Sequence, residues 1–360
     1  MKARNLFILL GLLLGSLFLD GRTEAREIID LAERQVIVPD RVDRIVALGP
    51  GALRLATYLQ AIDQVVGIEE LELKPLPDFF RPYSEAIRRE LTQLPCIGSG
   101  GAGKLPDCEA LLACRPQVIF VIGLDYRQSE NLQAKTGIPT VILSYGKLGV
   151  WRQEATRSLT LMGEIIGRRE RAAAITAYLE KTQAELRDLC RGAAHPSPRV
   201  YFGGLAYKGG RGYESTENGY FPGQLVEAEN VAGSDPNGDH LFIDQEKLLQ
   251  WDPEIIFLDS SGLSQIALQY LQNQRFFELL RAVRENHLYT VLPYNQYNTN
   301  LESALANAWF IGSRLYPQSF AKLCIDTKID EIFRFFLNLR VDGATLPAFQ
   351  PVTLKNLACR

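Results

Sequence analysis

The chain has 360 residues, of which 46% are apolar and 22% charged, with a formal net charge of −3. That share of apolar residues builds one large or two medium cores and excludes a disordered chain. The slight acidity leaves no basic stripe of the kind that binds nucleic acid.

The opening MKARNLFILLGLLLGSLFLDGRTEA sets Lys2 and Arg4 ahead of an apolar run from Leu6 to Leu19, then the small-x-small triplet Thr23-Glu24-Ala25. A membrane-spanning helix needs roughly 18 to 20 apolar residues, and this run is shorter and broken by Gly11, Gly15... and Ser16. Residues 1–25 therefore read as a secretory leader cleaved after Ala25, and the mature chain is expected in the periplasm. No cysteine stands near that site to carry a lipid.

In the following stretch, the runs RIVAL (Arg44 to Leu48), VVGI (Val65 to Ile68), PQVIFVIG (Pro116 to Gly123) and PTVILS (Pro139 to Ser144) read as buried parallel strands. Helical patterns lie between them, including GALRLATYLQAI and DCEALLACR, the latter with Asp107 as its N-cap. Alternation of this kind predicts an α/β lobe over residues 26–150. Within it, IGSGGAGKLPD has the G-x-x-x-x-G-K spacing of a phosphate loop, Gly98 to Lys104. Leu105 stands where Ser or Thr should hold magnesium, and Pro106 with Asp107 delays the helix, so the segment is expected to be a connecting loop. Lys104 is then a solvated or cleft-edge cation.

Residues 151–194 carry helical spacing without proline from Trp151 to Cys190, which predicts a spine of about 60 Å, with Gly163 and Gly167 as possible breaks and GRRE as a possible turn. A second α/β lobe is expected over residues 195–325. Its strands are RVYFGG, PEIIFLDS and LYTVLP, and its helices QEKLLQW, SQIALQYLQ and NLESALANAWFIGSRLY. The first of these strands runs into the wide loop GGLAYKGGRGYESTENGYFPG. Residues 326–360 form a last helix, about Asp326 to Leu339, and a tail.

Catalytic signatures are scarce. His195, His240 and His287 are scattered, and neither G-x-S-x-G nor H-E-x-x-H occurs. Six cysteines survive the leader; the cluster Cys96, Cys108, Cys114 and the pair Cys324, Cys359 are the sources of any disulfides. A zinc site is disfavoured without C-x-x-C. Tyrosine, in contrast, concentrates where strands end: Tyr126, Tyr145, Tyr207, Tyr213, Tyr220, Tyr294 and Tyr297. Ligands of open α/β sheets bind there, phenols suit a bulky ligand held without chemistry, and Lys208 and Arg211 add positive charge.

Several segments together carry a resemblance. REIIDLAERQVIVPDRVDRIVALGPGALRLATYLQAIDQVVGIE, LPDCEALLACRPQVIFVIG, QLVEAENVAG, IDQEKLLQWDPEIIFLDSS and NTNLESALANAWFIGSRLYP follow the order of motifs in periplasmic binding proteins of ABC importers for iron-siderophores, haem and cobalamin. The chain resembles that family over nearly all of residues 26–325. The resemblance implies two Rossmann-like lobes with parallel sheets, one long connecting helix and a ligand in the cleft between the lobes. It also implies a monomeric, non-enzymatic receptor without a cofactor. Such a receptor delivers a metal chelate, here expected to be a ferric siderophore or similar iron complex, to a permease and its ATPase. A periplasmic chelatase-like enzyme using the tyrosine cleft and His240 is the alternative. The family places a docking glutamate in the first helix of each lobe; this chain has Arg54 there, and Glu69, Glu217 and Glu227 are assigned to docking, with Glu70 and Glu214 nearby. Glu33 stands where the family has glycine.

Overall fold

The computed structural model describes residues 24–74, 80–146, 153–191, 197–235, 239–342 and 346–358. Most of the expected leader, residues 1–23, lies outside them, as do His195 and Cys359. The described part opens with a hairpin, β1 (Ala25–Ile29) and β2 (Gln35–Pro39), paired antiparallel. Its turn places Glu33 at φ 60°, the backbone region that explains why a glycine suits this position. Asp30 secures the turn by accepting from the Arg34 and Ala32 amides and from the Arg34 guanidinium.

The first lobe is a parallel sheet in the order β3 (Ile45–Leu48), β4 (Val118–Val121), β5 (Thr140–Ile142). VVGI contributes only parallel bridges, Ile45 to Val65 and Ile68 to Cys96, because glycine and the short run leave little to pair. Helices α1 (Ala52–Tyr58), α2 (Cys108–Ala113) and α3 (Tyr126–Thr136) cover the sheet. Asp107 caps α2 as the sequence indicates, and Asp125 with Gln128 forms a capping box on α3.

The expected single spine is two helices, α4 (Gln153–Ile165) and α5 (Arg169–Arg191). Gly167 ends the first at φ 72°, a left-handed turn that glycine takes without a Cβ penalty. The rigid connector is therefore α5 alone, about 35 Å long. Beyond it the second sheet runs β11-β10-β6-β8, all parallel: β6 (Arg199–Gly203), β8 (Glu229–Asn230), β10 (Ile255–Asp259) and β11 (Leu288–Val291). A small hairpin, β7 (Ser215–Glu217) with β9 (His240–Phe242), stands beside it. Helices α6 (Gln245–Trp251), α7 (Leu263–Gln272) and α8 (Leu301–Leu315) belong to this lobe.

Residues 326–360 are not a separate appendage. Helix α9 (Ile325–Leu337) buries Ile329, Ile332, Phe333 and Phe336, and the Phe336 ring meets Tyr58 of the first lobe edge-on at 5.1 Å. The segment 349–352 then pairs with β11 through Phe349, Thr290 and Val352 amides, and α10 (Leu354–Ala358) packs on α7. The reason is burial. One face of each sheet, with Val118, Phe120, Phe202 and Phe257, joins α1, α5, α8 and α9 in a single core spanning both lobes. The outer faces close over two smaller cores, one per lobe.

A desolvated charge ties the lobes together. Arg54 is fully buried in α1 and donates to the carbonyls of Thr299 (3.0 Å), Gln296 (2.9 Å) and Tyr297 (3.1 Å), all in the loop between β11 and α8. Tyr83 lies under its guanidinium at 4.7 Å. Beside it Tyr58 donates its hydroxyl to Glu302 and accepts from the Leu301 amide at 3.0 Å. Burial pushes the Glu302 carboxyl up, opposed by the Arg54 charge and the Tyr58 hydroxyl.

Arg54→Met should lower the unfolding free energy by about 3 to 5 kcal/mol in urea titration, because three carbonyls and Glu302 lose their partner. Gly167→Ala should cost about 1 kcal/mol in the same measurement, since open space surrounds the position and only the backbone conformation resists.

Candidate functional site

Loops at the carboxyl ends of the two sheets meet where the lobes join, and three of them come from the first lobe. Gly49 and Gly51 follow β3 with φ near 80°, and a Cβ on Gly49 would lie 2.0 Å from the Ile122 carbonyl oxygen after β4. The Gly49 amide donates to Glu69 at 2.8 Å. The IGSGGAGKLPD loop lies across the same strand ends, its Gly103 amide donating to the Gly123 carbonyl at 3.0 Å. It reaches the other lobe as well: the Gly101 amide donates to the Tyr297 hydroxyl at 3.1 Å. Lys104 is exposed on this loop.

The loop between β11 and α8 forms the closed end of the cleft. Tyr297 and Asn298 both have positive φ, 51° and 76°. Such strain in a tyrosine persists only where surroundings over-determine it, and Arg54 supplies that grip. The Tyr297 hydroxyl lies 3.5 Å from Glu69, and the Asn298 amide group donates to the Pro50 carbonyl at 3.3 Å. Arg81, only 6% exposed, sits 5.8 Å from the Tyr297 ring and 3.5 Å from Glu72. Burial pushes Glu69 up to about 7, against the Gly49 hydrogen bond and with help from Glu72. Burial also raises Glu72, opposed by the Tyr83 hydroxyl and Arg81.

The second wall is the loop after β6 and the β7–β9 hairpin. Gly262 lies so close to the Gly204 and Arg211 carbonyls that the loop is pinned to the end of β10. Tyr207 stacks on His240 at 4.2 Å, Lys208 lies 5.4 Å from the Tyr207 ring, and Arg211 lies 5.7 Å from the Phe242 ring. Arg211 also donates to the Tyr207 carbonyl at 2.8 Å. Burial, then the Arg211 charge, lowers the His240 pKa, so this ring is neutral at pH 7. Its Nε2 meets the Ser215 hydroxyl at 2.7 Å, but that hydroxyl donates to the Leu205 carbonyl and is wholly buried. A serine held in this way cannot reach a substrate as a nucleophile.

The seven tyrosines separate into cleft and core. Tyr207 and Tyr297 are in the cleft, with Lys208 and Arg211 beside Tyr207. Tyr126 is exposed at the start of α3, near Arg34. Tyr145 is buried, donating to the Gly51 carbonyl at 3.2 Å. Tyr213, Tyr220 and Tyr294 are not open to the cleft, because their rings complete the second-lobe cores. Tyr213 packs on Phe276 and Phe277, and Tyr220 stacks on Phe202 at 4.1 Å. Tyr294 donates to Glu217 at 2.6 Å.

Two docking assignments fail on the same ground. Glu69 and Glu217 are 3% and 8% exposed, engaged by Gly49 and Tyr294, so neither reaches a partner surface. Glu227 is exposed. Arg54, Arg81, His240 and Asn298 are the site residues that the tyrosine pattern did not reach. A single arginine within the otherwise apolar GALRLATYL is the signal that marks the first of them. Among the described residues no three His, Cys, Asp or Glu side chains gather as a cation cage, and no helix is long and apolar enough to cross a membrane.

Comparisons with known proteins bear on the fold and the family. The molybdate-binding protein MolA of Haemophilus influenzae is 23% identical, the match covering 93% of this chain and 97% of that protein. Its molybdate-bound structure superposes with a TM-score of 0.68 at 19% identity, covering 88% of this chain and 99% of the other. A TroA-like periplasmic binding protein, FepB from Veillonella parvula, gives a TM-score of 0.66 at 18% identity over 88% of this chain and 97% of its own. The periplasmic binding protein family model matches residues 45–294, so the two lobes and the cleft between them make this chain a member of the periplasmic binding protein family of ABC transporters.

Proposed function

We propose that the protein captures an oxygen-rich metal anion between its lobes and hands it to the permease and ATPase of an importer, without catalysing a reaction. The observation that carries this reading is the group Tyr207, Lys208, Arg211 and His240, two cations and two aromatic rings on one wall. Guanidinium, ammonium and phenol groups offer hydrogen bonds and positive charge to carboxylate, hydroxamate or oxo ligands around a metal. Tyr297 and the Gly101 amide, joined at 3.1 Å where the lobes meet, would supply the other side of the site. A ferric siderophore or similar chelate is the solute that the sequence resemblance favours. A small metal oxyanion is the second reading, favoured by the full-length relative named for molybdate.

A linked consequence concerns pH. Glu69 is neutral below about pH 7 and charged above it. Its charge opposes a bound anion, so affinity falls as pH rises through that value. Stability follows the same sign: the folded pKa exceeds the ordinary carboxyl value of 4.5, so stability is full at low pH and declines as pH rises toward and through about 7.

Intrinsic fluorescence should be quenched saturably, at one site per chain, by a ferric tris-catecholate or by sodium molybdate, and not by ATP. Silence toward both metal anions, or an equal response to ATP, overturns the reading. Arg211→Gln should weaken the productive ligand roughly tenfold. Affinity measured by calorimetry should fall roughly tenfold between pH 6 and pH 8, and Glu69→Gln should flatten that profile.

A further inference from the structure

The glycine-rich loop of the first lobe is framed by two cysteines, Cys96 on one side and Cys108 on the other. Its stem is closed antiparallel: the Asp107 amide donates to the Ile97 carbonyl at 2.8 Å, and a Cβ on Gly98 would lie 3.2 Å from Pro106 and 3.1 Å from the Asp107 nitrogen. Ile97 therefore stands beside Asp107 and Gly98 beside Pro106, which brings Cys96 and Cys108, both free thiols in this structure, to the same end of the stem. A disulfide spans Cα atoms about 4.4 to 6.8 Å apart, the scale of such a stem's width.

Exposure separates these two thiols from Cys114 and Cys190, and Cys324, also exposed, stands at the start of α9. Cys96 is exposed, its Sγ 3.5 Å from the Gly98 carbonyl, and Cys108 is half-buried at the first turn of α2. Cys114 is buried and lies six residues along from Cys108, about 9 Å by helical rise and beyond bridging distance. Ile97 points into the small first-lobe core that also holds Cys114, and successive residues of an extended segment face opposite ways, so Cys96 points away from Cys114. Cys190 is buried in the other core, in α5.

We infer that Cys96 and Cys108 form a disulfide that staples the stem of the loop reaching Tyr297. The step is thiol–disulfide exchange. The accessible Cys96 thiolate attacks a disulfide-form oxidant of the compartment and displaces one of its thiols. Cys108 then attacks the mixed disulfide and releases the second thiol. Two protein thiols are oxidised, one oxidant disulfide is reduced, and two protons end on the departing thiols. Periplasmic binding proteins work where such oxidants operate, and the family assignment places this chain among them.

The staple acts where the loop is weakest. Gly98, Gly100, Gly101 and Gly103 all have positive φ, so this segment has the most conformational freedom to lose on folding. Closing residues 97–107 into a ring removes part of that freedom from the unfolded chain and holds the Gly101 amide against Tyr297. This inference stands apart from the identity of the solute, because its readout is covalent.

The full chain, recovered from an oxidising compartment, is alkylated without reductant and digested with trypsin, which cuts after Lys104 and parts the two cysteines. The expected product is a linked pair of the Cys96 peptide and the peptide that begins at Leu105, which holds both Cys108 and Cys114; reductant separates the pair, and fragment-ion sequencing places the link on Cys108 and the alkyl group on Cys114. In the native protein, dithiothreitol should speed cleavage at Lys104 several-fold, and Cys96→Ser should do so without reductant. Cys108→Ser gives the same result by a second route. Quantitative alkylation of both thiols, or a link from either to Cys114, overturns the inference.

Discussion

The architecture depends on one charge removed from water. Arg54 costs several kcal/mol to desolvate, and that cost is recovered only because three carbonyls accept from it and the charge of nearby Glu302 favours it. Those carbonyls come from the loop between β11 and α8, in the other lobe. The charge thus fixes the loop's strained backbone, the loop fixes Tyr297, and Tyr297 meets Gly101 and Glu69 at the cleft end. The lone charge of α1 is thus the bolt between the lobes.

That bolt and the common core limit how the molecule can move. Helices α1, α5, α8 and α9 share one apolar interior, so the lobes cannot swing apart without exposing Phe333, Phe336 and Tyr58. Exposing a few such side chains costs on the order of 1.5 to 3 kcal/mol each. Motion on binding therefore resides in loops, and the glycine-bearing segments at residues 98–103 and 204–212 supply it. The two walls are built unlike each other: one offers amides and a carboxyl of raised pKa, the other cations over aromatic rings.

Much of the framework was legible because apolar runs and helical spacing follow from burial alone. The core strands β3, β4, β6 and β10 fall where RIVAL, PQVIFVIG, RVYFGG and PEIIFLDS place them, while the β1–β2 hairpin lies outside those runs. The spine was misjudged because a single glycine within a helical pattern is tolerated as often as it terminates, and only the φ of Gly167 decides. Tyrosine was an ambiguous guide for a related reason. A phenol can line a cleft, as Tyr207 does, or bury its ring and spend its hydroxyl on an internal carboxylate, as Tyr294 does. Composition does not distinguish these uses. Glu69 and Glu217 depart from the rule that carboxylates are seldom buried, because each has a specific donor waiting. A better clue is Arg54, the one charge in α1, with Glu302 the acidic residue in the first turn of α8.

Helix α9 and the strand-like segment at residues 349–352 complete surfaces laid down far earlier in the chain. Synthesis runs from the amino end, so α1 emerges well before the aromatic ridge that covers it. Until then the first lobe presents an uncovered apolar face, and β11 an unpaired edge. The order of these elements makes folding a closing event rather than a sequential one, and an interrupted chain would leave two sticky half-molecules instead of one finished lobe.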